Sequence, residues 1–303
     1  MHVNAELAAA GAATQAATPQ PTFKLRWPLL MSVLTAVILF FPVITKLVSQ
    51  WYSDSDYSHG FVVPIFSAWV VWRKRDQLAK VARRPSNWGA LIVLLSLGLL
   101  FLGSLGAELF LTRIGLLGVI IGLILFLHGY EMLRALAFPV AFLLLMIPFP
   151  AVIYNQIVFP LQLLASHFAG ACLRTTHVIP VLQEGNLLIL PNYTLEIVEA
   201  CSGIRSLMSL LALAIAYGYM AEPRVLMRWI VAIAMIPIAV ISNGFRVVGT
   251  AFVTYTFGPK AGEGFLHTFA GLTIFLIATC LILAVHRLLI VAGRYYSKMA
   301  SKH

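Results

Sequence analysis

Cysteine is scarce in this chain. Only three occur in 303 residues, Cys172, Cys201 and Cys280, and no two of them form a CxxC pair. A disulfide framework and a cysteine-built metal site are therefore excluded. Charge is scarce too: 11% of residues are charged, with 11 acidic against 21 Lys and Arg. There is no HExxH pair, no Walker loop and no dinucleotide fingerprint. No metal and no other cofactor is expected. The first 22 residues, rich in Ala, Thr, Pro and Gln, lack the basic-then-apolar order of a signal peptide. They read as a flexible cytoplasmic tail.

What the chain has instead is apolar length. It is 60% hydrophobic with a mean hydropathy of +0.91, more apolar surface than a soluble domain can hide. Runs near 20 residues read as membrane spans. The net charge of +10 fits Lys- and Arg-rich cytoplasmic loops rather than nucleic acid. The expected fold is an all-α, polytopic helical bundle, with residues 23–303 as one transmembrane domain. Eight spans are expected, near 28–48, 61–72, 88–106, 110–128, 132–150, 203–221, 229–257 and 266–290. The stretch 155–174 is interrupted by Pro160, Gln162, His167 and Gly170 and reads as a re-entrant or interfacial helix.

Charge sets the expected orientation. Lys24 and Arg26, the Arg73–Arg84 cluster, Arg134, Arg224 and Arg228, and Arg287 to Lys302 all fall on one side if both termini are cytoplasmic. The longest opposite segment is about 151–202. Within it, alternation of Tyr193, Leu195 and Ile197 with Thr194, Glu196 and Val198, after the turn pair Pro191-Asn192, predicts a small β-hairpin over 186–198.

Counting back from the basic ends at ~1.5 Å per residue puts three polar residues at one depth. Cys201 lies about 34 Å from Arg224, Arg246 about 27 Å from Arg228, and His267 about 30 Å from Arg287. The hydrocarbon core is about 30 Å thick, so all three reach its outer boundary. Arg246, ionised within a span, demands a partner; a structural pair with Glu196, Glu199 or a helix carbonyl is the plain alternative. Asn243 shares its helical face. Ser202 and Gly203 open the helix after Cys201, so N-terminal N–H groups and nearby cations favour a thiolate; a packing cysteine is the plain alternative. Cys172 and Cys280 read as packing residues. Arg205, one turn on, either holds a substrate carboxylate or pairs with Glu199. His59, in Asp56-Tyr-Ser-His59-Gly, lines a substrate entrance or an ordinary polar loop.

The runs Glu199-Ala-Cys201-Ser-Gly-Ile-Arg205-Ser, Asn243-Gly-Phe-Arg246 and His267-Thr-Phe-Ala-Gly271, in that order, with Asp56-Tyr-Ser-His59-Gly-Phe-Val-Val-Pro64 before them, resemble the exosortase/archaeosortase family. The resemblance spans residues 24–292. It implies a bacterial inner-membrane cysteine protease/transpeptidase with its site on the periplasmic side. It also implies exported partners carrying a C-terminal Pro-Glu-Pro motif, an apolar helix and a basic tail (the PEP-CTERM signal). The family's cysteine, arginine and histidine fall on Cys201, Arg246 and His267, the expected catalytic set. Asn243, Arg205, Ser202, Gly203 and His59 are expected to bind substrate or support that set. Two rival functions stay open: a polytopic membrane transporter, with Arg246 and His267 lining a polar path, and a lipid-linked sugar transferase using Glu196 and Glu199.

Overall fold

The computed structural model describes residues 27–177, 179–197, 203–258 and 265–300. The expected tail, 1–22, lies outside them. The chain divides into two compact units, 1–39 and 40–303. In the first, the described residues are helical; the contacts and sites below lie in the second.

Helix α1 (Trp27–Ser53) leads into a 3-10 turn, Ser55–Phe61, and α2 (Val62–Arg73). Then come α3 (Trp88–Leu105) and α4 (Leu109–His128), which pack along each other over much of their length. Small residues permit this approach, as is usual where helices meet without a hydrophobic drive between them. A Cβ on Gly122 would lie 2.7 Å from a Val93 methyl, and one on Gly89 2.2 Å from the Phe126 nitrogen.

The next stretch departs from expectation. Residues 132–150 form no single span. They break into α5 (Tyr130–Ala135), α6 (Ala137–Phe142) and a 3-10 turn, Leu143–Met146. Ile147 then turns extended, and Pro148 and Pro150 follow within three residues; proline removes a backbone donor and biases the preceding residue away from helix. The segment is tied down by the rest of the core. Trp51 Nε1 donates to the Met146 carbonyl at 2.9 Å, and Ser67 Oγ to that of Pro139 at 3.0 Å. Leu47, Tyr57, Val63, Leu117 and Ala212 complete this apolar cluster.

Residues 155–174 also differ from expectation. They belong to one continuous helix, α7 (Ala151–Thr176), with Pro160 inside it. By length and composition α7 is among seven described helices able to cross a membrane, one fewer than the eight spans expected. The polar interruptions do not break it because they are absorbed by burial: Gln162 and Gly170 face inward with Ala165 and Ala169. Its contacts run along the C-terminal half of the long helix Val225–Phe257.

A three-stranded antiparallel sheet follows: β1 (Leu182–Glu184), β2 (Leu187–Ile189) and β3 (Thr194–Glu196), in the order β1-β2-β3. The β2–β3 pair is the expected hairpin, with Ile189 opposite Thr194 and Leu187 opposite Glu196. Strand β1 extends it. Leu188 and Ile197 are fully buried against Ala165 and Ala169 of α7.

Three helices end the chain: α8 (Ile204–Ala221), α9 (Val225–Phe257) and α10 (Phe265–Ala300). Leu210 and Ala214 of α8, Val231, Met235 and Ala239 of α9, and Ala278 and Ile282 of α10 form their shared core. At 33 residues, α9 is about 50 Å long, well beyond a ~30 Å hydrocarbon core. Its surplus turns carry the sheet and α7: Val247 packs on Leu188 and Ile197, Ala251 on Leu173 and Leu190, and Asn192 Nδ2 donates to the Tyr255 carbonyl at 3.1 Å.

Candidate functional site

Gly203 fixes the entrance to α8. It is the N-cap, with φ of 82°, a region where side chains are strained and glycine is not. Space forbids a side chain as well: a Cβ would sit 2.5 Å from Asn243 Cγ. The start of α8 thus rests directly on α9. Asn243 is 3% exposed, and Arg246, one turn further along, is 7% exposed. Gly203 and Asn243 are therefore brought together, with Arg246 one turn further along α9. Cys201 and Ser202 lie outside the described residues. His267 falls in the first turn of α10, and its side chain lies outside the described set.

Arg205 is held from the far end of the sequence. Its Nε donates to Asp56 Oδ1 at 2.9 Å, while the Tyr154 hydroxyl donates to Asp56 Oδ2 at 2.5 Å. Asp56 is itself set by its turn, its N–H donating to Asp54 Oδ1 at 3.0 Å. A carboxylate with both oxygens engaged is a fixed anion, and it supplies the pair that Arg205 needs. Sequence reasoning placed Asp56 only in the polar entry motif, not as the partner of Arg205, and did not place Tyr154 at all. The signal for Asp56 was its position beside His59; Tyr154 carried none.

His59 does a different job. Its Nε2 lies 3.0 Å from the Leu145 carbonyl, which fastens the 3-10 turn to the broken segment. Burial holds its pKa below the ordinary histidine value, so the neutral imidazole donates to that carbonyl. Gly60 follows because the Trp51 indole occupies the space of a Cβ, 2.3 Å away at Nε1.

Beside Asp56 opens a cavity of about 410 Å³, lined by Asp54, Tyr57, Glu108, Arg113, Phe149 and Tyr154 among others. His59 does not line it. Arg113 is 3% exposed and donates to Gln50 Oε1 at 2.6 Å. The Tyr57 hydroxyl is pushed up to about 12, mainly by burial, and stays protonated at working pH.

The opposite end of the bundle holds an unexpected network. His286 and Glu222 are each 3% exposed. Tyr217 Oη and His286 Nδ1 are 2.8 Å apart, His286 Nε2 and Glu222 Oε2 3.4 Å, and Arg224 Nε donates to Glu222 Oε1 at 2.9 Å. The Arg224 hydrogen bond, ahead of all other influences, holds the Glu222 carboxyl at about 2. Of the remaining cysteines, Cys280 is exposed on α10 rather than packed inside, and Cys172 is half-buried.

The family model described as transmembrane exosortase matches residues 51–284. No curated protein and no solved structure matches. That match runs from the Trp51 end of α1, through the Asp56 turn and the α8–α9 contact, to the core of α10. The chain therefore belongs to the transmembrane exosortase family, as a multi-pass, all-α membrane protein.

Proposed function

We propose that this exosortase-family protein is a cysteine peptidase/transpeptidase acting on the C-terminal sorting tails of exported proteins. The observation that carries the reading is the Gly203–Asn243 contact. Only Ser202 separates Cys201 from Gly203, so two Cα–Cα steps keep their Cα atoms within about 7.6 Å. This supports a thiol at the start of α8 close to Arg246. His267 also comes out near that level. It precedes Ile282 by 15 residues on α10, and Arg246 follows Met235 by 11 on α9; Ile282 and Met235 share one core cluster. Those stretches rise about 22 and 16 Å, roughly one helical turn apart.

The chemistry follows from the residue types. Cys201 Sγ attacks the scissile carbonyl carbon, and the C–S bond forms as the carbonyl oxygen becomes an oxyanion. Arg246, which stays protonated, stabilises thiolate and oxyanion as a fixed cation. His267 delivers the proton to the leaving amine as the C–N bond breaks. Water or an amine then resolves the thioester and regenerates the thiol. Arg205 is committed to Asp56 and supports the α8 entrance rather than binding substrate. The polar cavity beside Asp56 is where a peptide approaches.

The same reading places the protein in the bacterial inner membrane, with both termini cytoplasmic and the site on the periplasmic side. The substrate's basic tail obeys the same charge rule. The test is co-expression with a protein ending in Pro-Glu-Pro, an apolar helix and an Arg-rich tail. Cys201→Ala at normal abundance is expected to leave that tail uncut, and wild type to yield an acyl adduct on Cys201 by mass spectrometry. Full processing by Cys201→Ala refutes the mechanism.

A further inference from the structure

At the end of the bundle away from the candidate site, an apolar groove of about 350 Å³ lies between α6 with its 3-10 continuation and helices α8 and α9. Phe138, Leu144, Ile215 and Trp229 form its walls, and Tyr219 and Arg228 are its polar members. Leu144, Val225 and Trp229 are open to the surroundings at 49%, 62% and 61% exposure. In a membrane protein those surroundings are lipid.

The head of the groove is cationic. Lys74 Nζ and the Arg228 guanidinium lie 5.1 and 5.0 Å from the Tyr219 ring centre, and Phe138 stacks on the same ring at 3.5 Å. Arg228 spends its Nε on the main-chain carbonyl of Glu222 at 2.7 Å. Among the described residues, no carboxylate lies within ion-pair distance of Lys74 or Arg228. Among the described residues, the buried Tyr219 hydroxyl has no hydrogen-bond partner. Two cations without a counter-ion and a hydroxyl without an acceptor, heading an apolar slot, describe one kind of ligand.

We propose that this groove binds an anionic phospholipid, its acyl chain between α6 and α9 and its phosphate between Lys74 and Arg228. A zwitterionic lipid fits less well, because its own ammonium group would be brought to two cations. An apolar helix with a basic tail is disfavoured for the same reason: its charges meet like charges. Arg73 and Arg75 flank Lys74 and add to the attraction for an anionic surface.

The experiment uses the full-length protein in detergent and native mass spectrometry with added phosphatidylglycerol or phosphatidylcholine. Wild type is expected to retain phosphatidylglycerol at least tenfold better than phosphatidylcholine. Lys74→Gln with Arg228→Gln is expected to weaken phosphatidylglycerol retention by about 30-fold, at the usual attraction per cation, and so to erase the preference. Arg83→Gln with Arg84→Gln, the same charge change elsewhere in the loop, keeps it. Ala141→Trp fills the groove with every charge intact and is expected to expel the lipid, so the idea does not hang on the folding of the double variant. Equal retention of both lipids, or unchanged preference in both the double variant and Ala141→Trp, overturns the proposal. So does displacement of phosphatidylglycerol by an apolar helical peptide with a basic tail. The readout is independent of Cys201 and stands whether or not the cleavage reaction does.

Discussion

Replacing Asp56 by asparagine tests the ion pair that anchors the start of α8. The change keeps the shape and one carbonyl oxygen but removes the charge. Two bonds feel it: the Arg205 Nε contact at 2.9 Å and the Tyr154 hydroxyl contact at 2.5 Å. The Asp56 side chain is 11% exposed and that of Arg205 46%, so Arg205 recovers solvation while the Asp56 position does not. A fully exposed pair is worth about 0–1 kcal/mol, and a hydrogen bond to a charged group about 1.5–3 kcal/mol. The half-exposed geometry places Asp56→Asn at roughly 1.5 kcal/mol. Asp56→Ala removes the acceptor of the Tyr154 hydroxyl bond as well as the charge and is expected to cost about 3 kcal/mol. The assay is equilibrium unfolding in mixed micelles for wild type, Asp56→Asn, Arg205→Gln and the double variant. A coupling energy of about 1 kcal/mol is expected. If the single-variant losses add to within about 0.3 kcal/mol, the pair does not anchor the helix and the reasoning fails. Tail processing should fall with Asp56→Asn and return with Asp56→Glu.

Further outcomes follow from geometry described above. Gly203→Ala meets both the positive φ and the Asn243 side chain; it is expected to cost about 1–3 kcal/mol and abolish processing, and Asn243→Ala should relieve only the clash. Gly122→Leu, which drives a side chain into Val93 and the α3 backbone, is expected to lower the melting temperature markedly, whereas the open position Gly98→Leu should not. The Glu222 carboxyl sits at about 2, below the ordinary value of 4.5. A depressed carboxyl contributes stability that is fully present above pH 4.5 and lost as pH falls toward 2. Melting curves from pH 7 to pH 3 should show that loss in wild type and a smaller one in Glu222→Gln. His59, held neutral by burial, contributes stability lost as pH falls below about 6.5, and His59→Gln should flatten that part of the profile.

Where a helix is long, uniformly apolar and closed by charge or glycine, the sequence announced it: α3, α4, α8 and α9 begin and end within a few residues of their expected limits. The misreadings came where one rule had two outcomes. Pro148 and Pro150 stop a helix, but the apolar run before them, which looks like a span, is broken because its groups bond sideways to Trp51 and Ser67. Gln162 and Gly170 looked like interruptions, but burial against the sheet and α9 makes them ordinary inward-facing residues. Helical counting is a one-dimensional measure of depth, so it put Cys201, Arg246 and His267 at one expected level without showing that Gly203 meets Asn243. Lateral neighbours are not legible that way: nothing in the local pattern ties Asp56 or Tyr154 to Arg205, or His286 to Glu222. Those pairs exist only once helices distant in sequence pack together.

The Asp56–Arg205 pair spans 149 positions of sequence. At a synthesis rate of about 5–20 residues per second, Arg205 follows Asp56 from the ribosome by roughly 7–30 seconds. Throughout that interval the early turn lacks the guanidinium that it pairs with in the finished protein. The entrance to α8 closes on α9 later still, after Asn243 has been made. The contact between the α8 entrance and α9 is therefore made among the last events of biogenesis, long after the turn that anchors Arg205 has left the ribosome.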